Sequence, residues 1–368
     1  MVAPMTGRER LQAVLDREPV DRLSWTTLVD SRTRSPMPDE ARELPVLDFY
    51  RHVGCDILQF GNYGLPEDLR VQLVRGIHPF EEKRSRSGDT VVRERTTAWG
   101  TLTAVSQNGH PTRYPVGSLD EVRLLTRVWQ ESRFEEHPDA RAAARRLIEA
   151  IGDDGLYFPT LPPSPVQQLI EVEMGLERFY HFLQDHPAEM AALLDAMHQG
   201  RKQQYEVAAR SAPSPALIAV ENTSSTLTSP DVYRRHTLPQ IRDYVEIVHR
   251  HGKKLILHMC GKLRHLLEVI GHTGADGINA LTPPDVGDCP LEHALDILGD
   301  DLMMMGGILQ PEAFHTPGAA KKDIWRLLDE LYTPRLRRAN LVLWVQADGI
   351  PTPLWKFLAV REWMEQNA

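Results

Sequence analysis

The sequence predicts an α/β fold, a (β/α)8 TIM barrel with an elaborated N-terminal half. Three observations carry that expectation. From about residue 153 onward, short apolar runs alternate with longer amphipathic ones, as parallel strands with covering helices require. With two further runs upstream the strand candidates number about eight, which is what closes a barrel. No Gly-x-Gly-x-x-Gly follows an early strand, so the dinucleotide-binding form of the open sheet has no support.

Taken in chain order, LSWTTL (23–28) and CDILQFG (55–61) read as the first two strands, separated by a Pro- and Arg-rich stretch, 31–45, expected as a long surface loop. TVVRERTTAWGTLTAV (90–105) alternates about Trp99-Gly100 and is expected as an antiparallel hairpin inserted into the barrel. GLYFPTL (155–161) is the next strand, and LPPSPVQQLI (161–170) a Pro-rich loop running into a helix that overhangs the barrel mouth. Then come ALIAVEN (216–222), KLILHM (254–259), GINAL (277–281), LMMMGGI (302–308) and LVLWVQ (341–346). The segments between them carry apolar residues at helical spacing, and several end at glycine. Ser229-Pro230 gives one of these helices an N-cap and an N1 proline. With no internal repeat and no low-complexity linker, residues 1–368 are expected to form a single domain.

Composition excludes several classes of function. At 42% hydrophobic and 25% charged residues the chain has the make-up of an ordinary soluble domain. A formal net charge of −9 argues against a nucleic-acid partner, because such proteins present a basic face to phosphate. Arg335 to Arg338 is read as a solvated helix end. The N-terminus has no signal-peptide core, and no apolar run approaches the ~20 residues of a bilayer span. A cytoplasmic address with no membrane contact is therefore expected. It agrees with three scattered cysteines, Cys55, Cys260 and Cys289, which suggest no disulfide framework.

In a barrel the chemistry sits at the C-terminal ends of the strands. That rule selects Gly61, Asn62 and Tyr63; Glu221 and Asn222; His258 and Cys260; the loop TPPDVGDC (282–289), with Asp285; Gln310; and Gln346 to Asp348. His258 and Cys260, two apart, fall on one side of an extended chain and are candidate metal ligands. The competing reading is a buried cysteine beside a hydrogen-bonded core histidine. Glu221 directly follows an apolar run, where a carboxylate is costly to bury unless it is paired or ligates something, so it is a candidate ligand and catalytic group. His249 and His251 fall on different helix faces, and Met303 to Met305 are expected to fill core space.

The segment HMCG, followed by GADGINALTPPDVGDCPLEHALDILGDDLMMMGGI, resembles the uroporphyrinogen decarboxylase superfamily. The opening TGRERLQAVLDREPVDRLSW and the closing GIPTPLWKFLAVREW are similar to its cobalamin-dependent methyltransferase (O-demethylase) branch. The resemblance implies a (β/α)8 barrel. True decarboxylases of this superfamily carry Arg-Gln-Ala-Gly-Arg after the first strand, where this chain reads TTLVDSRTRSP. The methyltransferases carry a zinc site of His-x-Cys with a second cysteine before a late Gly-Ile; here His258 and Cys260 match, but Asp348 precedes Gly349-Ile350. Asp348 is then an oxygen ligand in place of sulfur, or else the metal site has been lost, and Cys289 is a spare candidate.

The resemblance implies methyl transfer from a methylated small molecule, such as a methoxylated aromatic ether, to a corrinoid (cobalamin) on a partner protein. Zinc would sit on His258, Cys260, Asp348 and Glu221, and Tyr63, Asn222 and Asp285 would bond substrate or handle protons. No Asp-x-His-x-x-Gly signature places the corrinoid on this chain. The alternatives are a metal-independent decarboxylase or lyase of the same superfamily, and a non-catalytic barrel.

Overall fold

The computed structural model describes residues 3–284, 287–307, 318–347 and 349–367. Eight stretches of parallel β-structure form its body. They are β1 (Ser24–Leu28) and β2 (Ile57–Phe60), and, beyond six antiparallel strands described below as β3 to β8, β9 (Gly155–Phe158) with β10 (Thr160–Leu161), β11 (Ala216–Val220), β12 (Lys254–His258), β13 (Gly277–Leu281), β14 (Met303–Gly306) and β15 (Leu341–Gln346). Seven of these strands form one curled parallel sheet in the order β1-β15-β14-β13-β12-β11-β10. β2 and β9 form a second, two-stranded parallel ladder.

The expected barrel thus appears as two ladders. Pro159 lies between β9 and β10 and has no N–H to give; its carbonyl still accepts from Ile218, at 2.9 Å. On the other flank, the N–H of Asp56 donates to the carbonyl of Trp25 at 2.9 Å, joining the start of β2 to β1.

Alternation along the strands sorts the side chains into two layers. Ile218, Ile256, Met303, Met305, Val342 and Trp344 fill the inner face with Leu58 and Phe158. Leu217, Ala219, Leu255, Leu257, Ile278, Met304 and Val345 face the helices outside. Met303 and Met305 are core residues, as expected.

The helix Gly7–Asp16 adds Leu11, Val14 and Leu15 to the inner cluster. A capping box starts it: Thr6 Oγ1 accepts from the N–H of Glu9, whose carboxylate accepts from the N–H of Thr6. One buried network holds it to the strands. Arg10 donates to both oxygens of Asp21, at 2.6 and 2.9 Å, and to Asp56 at 2.6 Å; Asp56 also accepts from Arg22 and from the Ser24 hydroxyl.

The N-terminal insertion is larger than the expected hairpin. The hairpin itself is present, as β5 (Thr90–Thr97) and β6 (Gly100–Gln107) turning at Trp99, but β4 (Glu81–Ser87) and β7 (His110–Arg113) extend it to four antiparallel strands. A further antiparallel pair, β3 (Val74–Ile77) with β8 (Arg133–Glu136), flanks it. The sheet packs over its own small core of Leu102, Val116, Leu125, Leu169 and Phe179. Arg95 ties it to the body through Glu173, at 2.7 Å in a nearly solvent-free pair.

The stretch expected as a long loop, 31–45, contains two short helices, Ser31–Arg34 and Asp39–Arg42. Among the described residues no helix is long and apolar enough to cross a membrane.

The Arg10 network sits where the first helix and the starts of β1 and β2 meet. Replacing Arg10 with Met leaves Asp56 buried with only Arg22 and Ser24. Urea denaturation should show a loss of roughly 3 kcal/mol; a loss under about 1 kcal/mol, as exposed ion pairs give, would mean the pair is not structural.

Candidate functional site

The parallel register brings three strand ends to one point. Val220 lies opposite His258, and His258 opposite Asn279. By alternation with Ile256, the His258 side chain turns to the inner face. Its ring meets Phe60 edge-on at 5.3 Å between centroids, and Phe60 in turn meets Trp344 at 6.0 Å.

Nδ1 of His258 lies 2.6 Å from Oδ1 of Asn279. A carbonyl oxygen only accepts, so Nδ1 carries the proton and the second nitrogen, Nε2, is the one able to ligate a metal. Asn279 is fully buried, and its Nδ2 has no hydrogen-bond partner among the described residues. Cys260, two residues on, is partly buried and donates to Oδ1 of Asn222 at 3.7 Å. Asn222 is in the left-handed conformation, φ 46°, which asparagine tolerates better than most residues. Its N–H donates to the carbonyl of His258 at 2.9 Å, extending the ladder past the strand end.

Glu221 is placed differently. Continuing the alternation of Leu217 and Ala219, its side chain turns outward beneath the helices, where it is wholly buried. There Oε1 accepts from the N–H of Ser164 at 2.6 Å and Oε2 from the Ser164 hydroxyl at 2.8 Å. Burial pushes its pKa from the ordinary 4.5 up to about 7, against the opposing pull of the two Ser164 bonds and of Arg201. The expectation of Glu221 as a metal ligand beside His258 and Cys260 is therefore corrected: the pleat sends it to the other face of the sheet. Among the described residues no group of three His, Cys, Asp or Glu side chains comes together as metal ligands. Asp348, expected as the next ligand, and Asp285 and Gln310 lie outside the described residues.

The flanks of position 348 are nevertheless held. Asp30 accepts from the N–H of Gly349 at 3.1 Å and from the N–H of Thr33 at 2.7 Å, and the single hydroxyl proton of Thr33 is shared between Asp30, at 2.8 Å, and the carbonyl of Ala347, at 2.7 Å. Burial alone would raise the pKa of Asp30, but these donors and the Tyr63 hydroxyl hold it below the usual carboxylate value. Tyr63 packs against the inner cluster near Phe60.

Asn62 has a structural task, its amide clamping both the N–H and the carbonyl of Val71. Cys289, the spare ligand candidate, is fully buried in the outer layer, where burial pushes its thiol up to about 11. Its neighbour Asp288 accepts from the N–H groups of Leu263 and Arg264, pinning the chain just after Cys260. His249 and His251 pair with different carboxylates, Asp276 and Glu206.

Sequence reasoning missed Asn279 and Asp30. The signal for Asn279 was a lone amide in the apolar run GINAL; for Asp30 it was an N-cap residue three positions before Thr33.

Residues 162–334, which contain β11 to β14 and the His258 group, match the model of the uroporphyrinogen decarboxylase (URO-D) family. Over that segment the chain is similar to the URO-D family. A methyltransferase from Methanosarcina mazei has the same fold over the whole length: TM-score 0.61, 16% identity, with 99% of each chain covered. D-psicose 3-epimerase from Clostridium cellulolyticum H10, solved with D-tagatose, superposes at TM-score 0.33 and 10% identity over 57% of this chain and 70% of its own. No curated protein sequence matches the chain. The URO-D segment thus holds both the histidine and the amide that orients it.

Glu221 gives a pH-dependent term. Its folded pKa lies above its unfolded one, so the proton stabilises the fold. That contribution is complete below the unfolded value near 4.5 and is lost as pH rises through about 7. Denaturant titrations from pH 5 to 8 should show stability falling by up to roughly 3 kcal/mol, and Glu221→Gln should flatten the curve. An equal slope in the variant would assign the pH dependence elsewhere.

Proposed function

We propose that this protein is a zinc-dependent methyltransferase of the URO-D superfamily that moves a methyl group from an aromatic methyl ether to a corrinoid on a partner protein. The observation that supports it most is the His258–Asn279 hydrogen bond on the inner face, with Cys260 on the same strand end. An imidazole whose Nδ1 is engaged by a buried amide is oriented as metal-ligating histidines are. Imidazole, thiolate and carboxylate are a donor set that zinc accepts. His258, Cys260 and Asp348 would hold it.

Bound zinc would supply a Lewis acid for the ether oxygen, whose departure as a phenoxide needs its charge stabilised. The chain's own residues do the rest. Phe60, half-buried beside His258 and packed against the buried Trp344, would offer its ring to an aromatic donor at the His258 end of the barrel. The Nδ2 of Asn279 is a buried donor for a polar group of the substrate. Asn222, Tyr63 and Asp285 are assigned to hydrogen bonding with substrate. Glu221 acts through Ser164, holding the loop that leads into the helix Pro165–Gln168, and with a pKa of about 7 it can hold or release a proton at neutral pH. Overall the methyl–oxygen bond would break and the aryl oxide would leave to be protonated, and the partner's corrinoid would supply the acceptor for the methyl group.

Protein purified without chelators should contain about one zinc per chain and transfer methyl to free reduced cobalamin from members of a methoxylated aromatic panel. His258→Ala should lose both. Asn279→Leu, which keeps every ligand but removes the orienting amide, should weaken zinc binding by about 10- to 100-fold. Metal-free protein that remains fully active would overturn the proposal in favour of a metal-independent decarboxylase or lyase.

A further inference from the structure

A cleft between the antiparallel insertion and the barrel holds a feature that the His258 site does not use. The cleft encloses about 880 Å³ of empty space, open mouth included, and its walls include Phe80, Trp129, Pro162, Gln168, Gln204 and Arg201. A second cleft of about 760 Å³ adjoins it, sharing His78, Pro162 and Gln204.

Arg201 is a buried cation with no ion-pair partner among the described residues. It lies in the long helix Pro187–Ser211 and is only 2% exposed. Its two terminal nitrogens donate to the side-chain carbonyls of Gln204 and Gln168, and its guanidinium lies 5.5 Å from the Trp129 ring. Its Nε has no hydrogen-bond partner among the described residues, and none of the described carboxylates forms an ion pair with it. Glu221 is near enough to act on its charge, but that carboxylate already accepts through both oxygens from Ser164.

A guanidinium has five N–H groups and stays charged in proteins. To bury one with neutral amides alone is costly, because they return only part of the lost hydration. Burial pulls the pKa of Arg201 below the ordinary arginine value, in keeping with a charge that lacks its partner. The other arginine on the cleft wall differs: Arg95 is neutralised by Glu173 at 2.7 Å.

The rest of the lining fits a flat apolar body. Phe80 stacks on His78 with centroids 4.9 Å apart and planes 8° from parallel. Trp129 and Pro162 add further flat surfaces, and Gln204, whose carbonyl accepts from Arg201, brings an amide N–H that can donate to an oxygen of an anion.

We propose that this cleft binds a small planar aromatic carboxylate, its carboxylate on Arg201 and its ring against Trp129, Phe80 and Pro162. The site is independent of the metal assignment, since none of its residues belongs to the His258 group. A carboxylate fits better than an inorganic anion, because it matches the guanidinium fork while its ring covers apolar wall that phosphate would leave wet.

The full chain should be titrated with benzoate, benzamide and inorganic phosphate by calorimetry, with tryptophan fluorescence as a second signal. Benzoate should bind at sub-millimolar concentration, benzamide at least about tenfold more weakly, and phosphate undetectably. Gln204→Glu gives Arg201 an internal carboxylate. That variant should melt at a higher temperature than the parent and lose benzoate binding, and its raised melting point would show that it is folded. Equal binding of benzoate and benzamide, binding of phosphate alone, or undiminished benzoate binding to Gln204→Glu would each overturn the proposal.

Discussion

The hydrogen bond between His258 and Asn279 is the interaction on which the site depends, and strand register produces it. β12 and β13 run parallel with His258 opposite Asn279, and both side chains fall on the inner face because the pleat alternates. A slip of one residue would move the amide to the outer layer, where Ile278 now packs. The apolar layers that fix the register, Ile256 inside and Leu255, Leu257 and Ile278 outside, therefore also orient the imidazole.

The same pleat explains what the sequence revealed and what it concealed. All eight strand candidates are present to within a few residues, because fully covered parallel strands are continuous apolar runs that stand out from amphipathic helices. The outer strands of the insertion did not stand out. Glu81–Ser87 reads EEKRSRS and is exposed throughout, so neither apolar density nor alternation marks it. Glu221 was legible as a residue under unusual demand. Its direction was not, since that required knowing which parity of ALIAV faces inward. Arg201 lay hidden in a helix rich in ordinary charges, and nothing in its neighbours in sequence distinguishes a buried arginine from a solvated one.

Loops beyond the strand ends are held by polar clamps rather than by packing. Asp30 and Thr33 secure both flanks of position 348. Asp288 pins the chain after Cys260, and Ser164 is bound to Glu221. Each clamp uses a short side chain to satisfy backbone groups that a turn leaves unpaired. Such clamps fix the backbone on either side of the strand ends, as the proposed metal site would require because ligand distances tolerate little error. The insertion is secured differently, through the buried Arg95–Glu173 pair, and so forms the wall of the second cleft.

The central claim is that His258 and Cys260 share one metal ion. Cobalt(II) in place of zinc tests this directly, because a thiolate ligand produces an intense near-ultraviolet charge-transfer band that nitrogen and oxygen ligands do not. The account predicts that band in the substituted protein and its disappearance in Cys260→Ser, with visible d–d absorption retained. A spectrum without the band, or one unchanged by removing the Cys260 sulfur, would contradict it.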